Sequence, residues 1–77
     1  MTETVKLQLQ EIFRLALEIE GCQVSLTPSA QNIHIYRFKG RIGEYDVDVS
    51  GYWGDWIDNK HSLSLENCIK NLKEIIG

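Results

Sequence analysis

Long apolar runs, a surplus of basic charge, paired-cysteine motifs and linker-like stretches are all missing from this sequence, and each absence removes a class of function. No stretch approaches the ~20 apolar residues of a membrane-spanning helix. Residues 1–10 carry no apolar run behind a basic start, so no secretory signal is read there. Both absences make the cytoplasm the expected location. Lys+Arg number 8 against Asp+Glu 11, a net charge of −3. The cation surplus from which nucleic-acid binders draw their affinity is therefore lacking. Cys22 and Cys68 are not spaced Cys-x-x-Cys, which removes the common zinc and redox motifs. Gly51-x-x-Gly54 is too short for a phosphate-cradling loop and opens no strand-to-helix turn of the right kind. Ser50, Ser62 and Ser64 have no base at a recognisable spacing. No repeat, low-complexity tract or Pro/Gly/Ser linker divides the 77 residues, so 1–77 is read as a single domain.

What is present is an ordinary globular composition, 43% hydrophobic and 25% charged, which argues against disorder. A chain of this size buries only about 60% of its unfolded surface. The core is thin and leaves little room for an enclosed active site. With no catalytic constellation either, the expectation is a non-enzyme without a cofactor.

Residues 3–20 have a helical stripe in Val5, Leu9, Ile12, Phe13, Ala16 and Ile19. Thr2 or Thr4 can cap its start and Gly21 its end. Residues 22–27 alternate, Cys22, Val24 and Leu26 against Gln23, Ser25 and Thr27, as a half-buried strand does. Pro28 to Asn32 turns the chain. Ile33–Lys39 and Glu44–Ser50 are the next two strands, joined through Gly40-Arg41-Ile42-Gly43. Ser62 or Ser64 caps a second helix to about residue 76, striped by Leu65, Cys68, Ile69, Leu72, Ile75 and Ile76. The predicted fold is α+β, ordered α-β-β-β-α, with an antiparallel three-stranded sheet and both helices on one face.

Charge suggests which sheet face is inside. Arg37 and Lys39 alternate with Tyr36 and Phe38, and Glu44, Asp46 and Asp48 with Tyr45 and Val47. Setting cations opposite carboxylates places His34, Tyr36 and Phe38 beside Tyr45, Val47 and Val49 as the core face. Ile33 and Ile35 are then left outside.

The element order resembles the double-stranded-RNA-binding domain in length and topology. That family grips phosphate with lysines opening its second helix. The matching stretch here, His61-Ser62-Leu63-Ser64-Leu65-Glu66-Asn67, has only Lys60 just ahead of it, and the third strand is acidic. A nucleic-acid-binding module of that topology is therefore the alternative reading, resting on fold analogy.

Asp55, Asp58 and His61 are spaced by three, and His34 can be added to them as metal-ligating types. Gly54 makes the segment a loop, where such spacing carries little meaning; the expectation is a solvated polar loop without metal. His34 itself is read as a hydrogen-bonded histidine at the sheet margin. Asp46 and Asp48 lie beside Arg37 and Lys39, and a paired carboxylate is a poor acid at neutral pH. Cys22 and Cys68 fall on apolar faces, where burial raises a thiol's pKa and makes it inert. Both fit reduced core thiols, and a bridge between them depends on geometry.

Two features remain. Tyr52, Trp53 and Trp56 lie within one short loop, residue types that dominate interface hot spots. Alternation puts Trp53 inside and Tyr52 outside and leaves Trp56 open. Five acids, Glu44, Asp46, Asp48, Asp55 and Asp58, fall between Arg41 and Lys60 with no basic residue among them. Alternate strand residues are about 6.6 Å apart, a spacing that can imitate a nucleic-acid backbone; a solvated face paired with neighbouring cations is the plainer account. The expected function is a non-enzymatic protein-interaction or regulatory domain of phage or mobile-element type. It would bind a basic protein partner through Tyr52, Trp56, Asp46, Asp48, Asp55 and Asp58. No membrane is involved, and the chain is a monomer or a homodimer, with Leu7, Leu15 and Leu17 of the first helix as surplus apolar surface.

Overall fold

Helix α1 spans Glu3–Leu17, strand β1 Gln23–Thr27, β2 Asn32–Phe38, β3 Tyr45–Tyr52 and helix α2 Leu65–Ile76. The computed structural model of the chain describes residues 2–40 and 43–77. Arg41 and Ile42, the middle of the expected hairpin loop, lie outside the described residues. The strands form one antiparallel sheet in the order β1-β2-β3. Both helices pack on the same face, α2 over β3 and α1 beside it towards β1. No helix among the described residues is long and apolar enough to cross a membrane.

The boundaries follow from local chemistry. Thr2 caps α1, its side-chain oxygen accepting from Val5 N at 3.2 Å. The helix ends at Leu17 rather than at residue 20. Glu18 N and Ile19 N donate to Leu15 and Ala16 at 3.0 and 3.1 Å, three-residue bonds that tighten the last turn. Gly21 follows at φ 78, a left-handed conformation natural to glycine. Ser64, not Ser62, caps α2 by accepting from Asn67 N at 3.1 Å.

The face of β2 is the reverse of the charge-based expectation, and Tyr45 is exposed, whereas Val47 and Val49 of β3 face the core as expected. Ile35 stands opposite Val49, Ile33 opposite Gly51 and Arg37 opposite Val47. Ile33 and Ile35 are 0% exposed and form the centre of the core, whereas His34 and Tyr36 are half-buried on the side away from the helices and Phe38 is exposed. The physical reason is payload. Each opposite-charge pair on a sheet contributes about 0.2–1 kcal/mol, while fully burying a branched aliphatic contributes about 1.5–3 kcal/mol. Two isoleucines outweigh the ion pairs, and His and Tyr keep their polar tips wet.

Around Ile33 and Ile35 pack Leu9, Ile12, Ala16, Val47, Leu65 and Leu72, all buried. Leu15 is core as well, while Leu7 and Leu17 are exposed, so the three surplus leucines do not make one surface. Phe13 is also partly exposed. Helix α2 comes so close to β3 that a Cβ at Gly51 would sit 2.9 Å from Leu65 Cδ2 and 3.1 Å from Cys68 Cβ. Cys22 and Cys68 are free thiols. Burial pushes the Cys68 thiol up to about 12, and desolvation raises that of Cys22.

This face assignment predicts unequal responses on adjacent β2 residues. Ile35→Ala should destabilise the fold by about 2–5 kcal/mol. Tyr36→Ala should cost about 1 kcal/mol or less. Urea unfolding of the two variants measures the difference, and equal losses would contradict it.

Candidate interaction surface

The face of the sheet not covered by helices carries an aromatic cluster that begins on β2. His34, Tyr36 and Phe38 alternate onto it because Ile33 and Ile35 face inward. β3 contributes Tyr45 through a bulge. Arg37 is paired with Val47 and Phe38 with Tyr45, which leaves Asp46 as an extra residue. Without that extra residue Tyr45 would share the inner face of Val47. With it, the Tyr45 ring stacks on Phe38 at 5.1 Å and meets Tyr36 edge-on at 5.6 Å. Tyr36 and Phe38 meet edge-on at 5.7 Å, and His34 stacks on Tyr36 at 4.8 Å. Stacked and edge-to-face contacts at these distances are favourable beyond their area. Phe38 and Tyr45 nevertheless remain 41% and 40% exposed.

The bulged Asp46 turns its carboxylate to Arg37. Arg37 Nε and Nη2 donate to Asp46 Oδ1 and Oδ2, both at 2.9 Å, and Nη1 donates to the Glu20 carbonyl at 2.8 Å. Hydrogen bonding to Arg37 holds the Asp46 carboxyl below the usual aspartate range. The expected Arg37–Asp46 pairing therefore exists, but through the bulge and not through facing strand positions. Asp48 is held differently from the expectation. It pairs with His34, Nε2 to Oδ1 at 2.7 Å, on the aromatic face. His34 is hydrogen-bonded as expected but on the outer face rather than at the margin of the core.

At the other end of β3, Tyr52 lies opposite Asn32, with its ring 5.5 Å from Trp56. Trp56 is 61% exposed and meets His61 edge-on at 5.7 Å. A Cβ at Gly54 would fall 2.6 Å from Trp56 Nε1, so only glycine lets the indole lie there. Trp53 turns inward and packs against the core, as alternation predicts. The loop is tied down at its far end: Asn67 Nδ2 donates to the His61 carbonyl at 2.7 Å and Ser64 Oγ to the Asn59 carbonyl at 3.2 Å. Asp55 and Asp58 are exposed. Asp58 accepts from Lys60 N at 2.8 Å, and His61 Nδ1 accepts from Leu63 N at 3.0 Å. Among the described residues no three metal-ligating side chains converge.

The structure thus brings Tyr52 and Trp56 together and sets Asp46 and Asp48 on the same strand. Asp46 is committed to Arg37, and Asp48 joins the aromatic cluster. Sequence reasoning missed His34, Tyr36, Phe38 and Tyr45 as surface. The available signal was that isoleucine outranks tyrosine and histidine for full burial. A groove of about 980 Å³ also opens between the helices, but its Lys60, Lys70 and Lys73 are offset by Glu11, Glu66 and Glu74. Comparison with known protein families, with curated proteins and with solved structures finds no match for this chain.

The two tryptophans should separate in a stability measurement. Trp53→Ala, which removes a half-buried indole packed against the core, should cost about 2–3 kcal/mol. Trp56→Ala should cost about 0.5 kcal/mol. Equal drops in melting temperature would mean that Trp56 is structural and not available to a partner.

Proposed function

We propose that this chain is a protein-interaction domain, without catalysis of its own, that docks a basic protein segment on the open face of its sheet. The observation that carries the reading is the cluster of His34, Tyr36, Phe38 and Tyr45 on a face that no helix covers. At the far end of β3, Tyr52 and Trp56 form a second ring pair, 5.5 Å apart. Aromatic side chains of this kind provide large contact area at small cost in conformational freedom. Charge supports the choice of occupant. Asp48, held on the aromatic face by its bond to His34, borders the cluster, and the exposed Asp55 and Asp58 lie towards Trp56. Arg37, the cation nearest the bulge, is already bound to Asp46. A partner bringing lysine or arginine finds carboxylates to meet and ring faces for its cations. Two unbridged cysteines suit a reducing compartment, which supports placing this activity in the cytoplasm.

The second reading is nucleic-acid binding, and the open face gives it one observation of its own. Exposed rings on a sheet are how several modules stack unpaired bases. Phosphates following those bases would run past Asp46 and Asp48, and the chain as a whole is acidic. The protein reading is therefore preferred.

Titration of the labelled chain with Lys/Arg-rich, neutral and acidic peptides, and with single-stranded and double-stranded RNA, tests both. The basic peptide should shift the amides of residues 34–38 and 45–50. The double variant Phe38→Ala/Tyr45→Ala should remain folded and bind about 30-fold more weakly, the equivalent of about 2 kcal/mol at a hot spot. Tighter binding of either RNA, falling steeply with salt, would transfer the proposal to nucleic acid. No response at these amides to any ligand would remove the open face as the docking site.

A further inference from the structure

We infer that two copies of this chain associate through β1, joining their sheets into one continuous six-stranded sheet. The inference starts from the contrast between the two edges. β3 is guarded in three of the ways that edge strands commonly are. It is bulged at Asp46, carries the carboxylates of Asp46 and Asp48, and its end is covered where Tyr52 N donates to the Leu63 carbonyl at 2.8 Å and pairs with Ser64. β1 has none of these guards. Gln23-Val24-Ser25-Leu26-Thr27 contains no charge and no proline, and it lies at the other edge of the sheet. Among the described residues no backbone bond outside the β2 ladder reaches residues 23–27. Alternate backbone N–H and C=O groups of an edge strand point outward and can pair with another strand.

The occupant is a second copy because β1 is matched to itself. Its polarity reads the same in both directions about Ser25. In an antiparallel pairing centred there, Ser25 faces Ser25 of the second copy, Val24 faces Leu26, and Gln23 faces Thr27. Apolar side chains then meet only apolar ones on the helix-covered face, and hydroxyl or amide groups meet on the open face. The pairing is two-fold symmetric, as homodimer interfaces usually are. Each copy carries a net charge of −3, and the uncharged β1 is where two such copies can approach without setting carboxylates against one another.

The helix layer supports the same contact. Gln8 and Glu11 mark the flank of α1 that faces α2, since both line the groove with Lys70 and Lys73. At about 100° per residue, Phe13 and Leu17 fall on the opposite flank, on the β1 side. They are exposed, Leu17 by 87%, and Leu26 on the inner face of β1 is 40% exposed. Pairing of the β1 edges would bring Phe13, Leu17 and Leu26 of the two copies together over the joined sheet, covering apolar surface that nothing in the single chain covers. This interface is separate from the aromatic face and leaves that face open on both copies.

Sedimentation equilibrium and cysteine cross-linking test the inference together. The wild-type chain should approach twice the monomer mass as concentration rises, and Ser25→Lys, which sets two lysines opposite one another, should remain monomeric with an unchanged circular dichroism spectrum. In an antiparallel pair the two position-25 Cα atoms would lie about 4.5–5.5 Å apart, within disulfide reach. Ser25→Cys should therefore form an intermolecular disulfide at least tenfold faster than Ser29→Cys, in the exposed turn that follows β1. A wild-type chain that stays monomeric overturns the inference. So does a dimer that survives Ser25→Lys, or cross-linking of Ser25→Cys no faster than that of Ser29→Cys.

Discussion

Two helices can cover only one face of a three-stranded sheet, and everything else in this structure depends on which face of β2 they take. β2 is the central strand, paired on both sides, and its inward residues belong to one core cluster with side chains of both neighbouring strands and both helices. Those residues are Ile33 and Ile35, with no exposed surface at all. Opposite Ile33, β3 supplies Gly51, and the missing side chain there lets Leu65 and Cys68 of α2 come down onto the strand. Position 51 is thus small for the same reason that positions 33 and 35 are branched. The three together set the distance between sheet and helix layer.

The same choice creates the outer surface. Once the isoleucines face in, His34, Tyr36 and Phe38 must face out. The bulge at Asp46 then turns Tyr45 to join them. It also frees a carboxylate for a two-point bond with Arg37, whose third nitrogen reaches the carbonyl of Glu20 beyond the end of α1. One irregular residue therefore links the start of β3, the end of β2 and the exit from α1. The bulge also leaves the β3 edge unsuited to pairing, in contrast with β1.

Much of the fold was legible in the residues. Although Phe13, Ile75 and Ile76 are exposed, most of the α1 and α2 stripes, the alternation of β1, caps narrowed to two candidates at each helix start and the inward turn of Trp53 follow from period and side-chain chemistry. The hairpin faces did not, because two signals disagreed. Cross-strand charge favoured one register and aliphatic burial the other. Charge lost because Arg37 and Asp46 can reach each other through a bulge, which no reading of simple alternation contains. The extent of the candidate site was obscured by the same error. Tyr52, Trp56, Asp46 and Asp48 could be picked out as surface residues, but the larger part of the surface had been assigned to the interior.

Cys68 gives the molecule an internal clock. Its sulfur lies at the point where α2 meets Gly51, is fully buried, and has a thiol pushed up to about 12. A thiol reagent needs an exposed thiolate, so it can reach this one only when α2 lifts from β3. The rate of Cys68 modification in native buffer therefore reports how often the helix layer opens. Half-exposed Cys22, on the same chain, provides the reference rate. Modification of Cys68 as fast as that of Cys22 would mean that the helix is not held down, and a partner that grips the open sheet face should slow Cys68 without shielding Cys22.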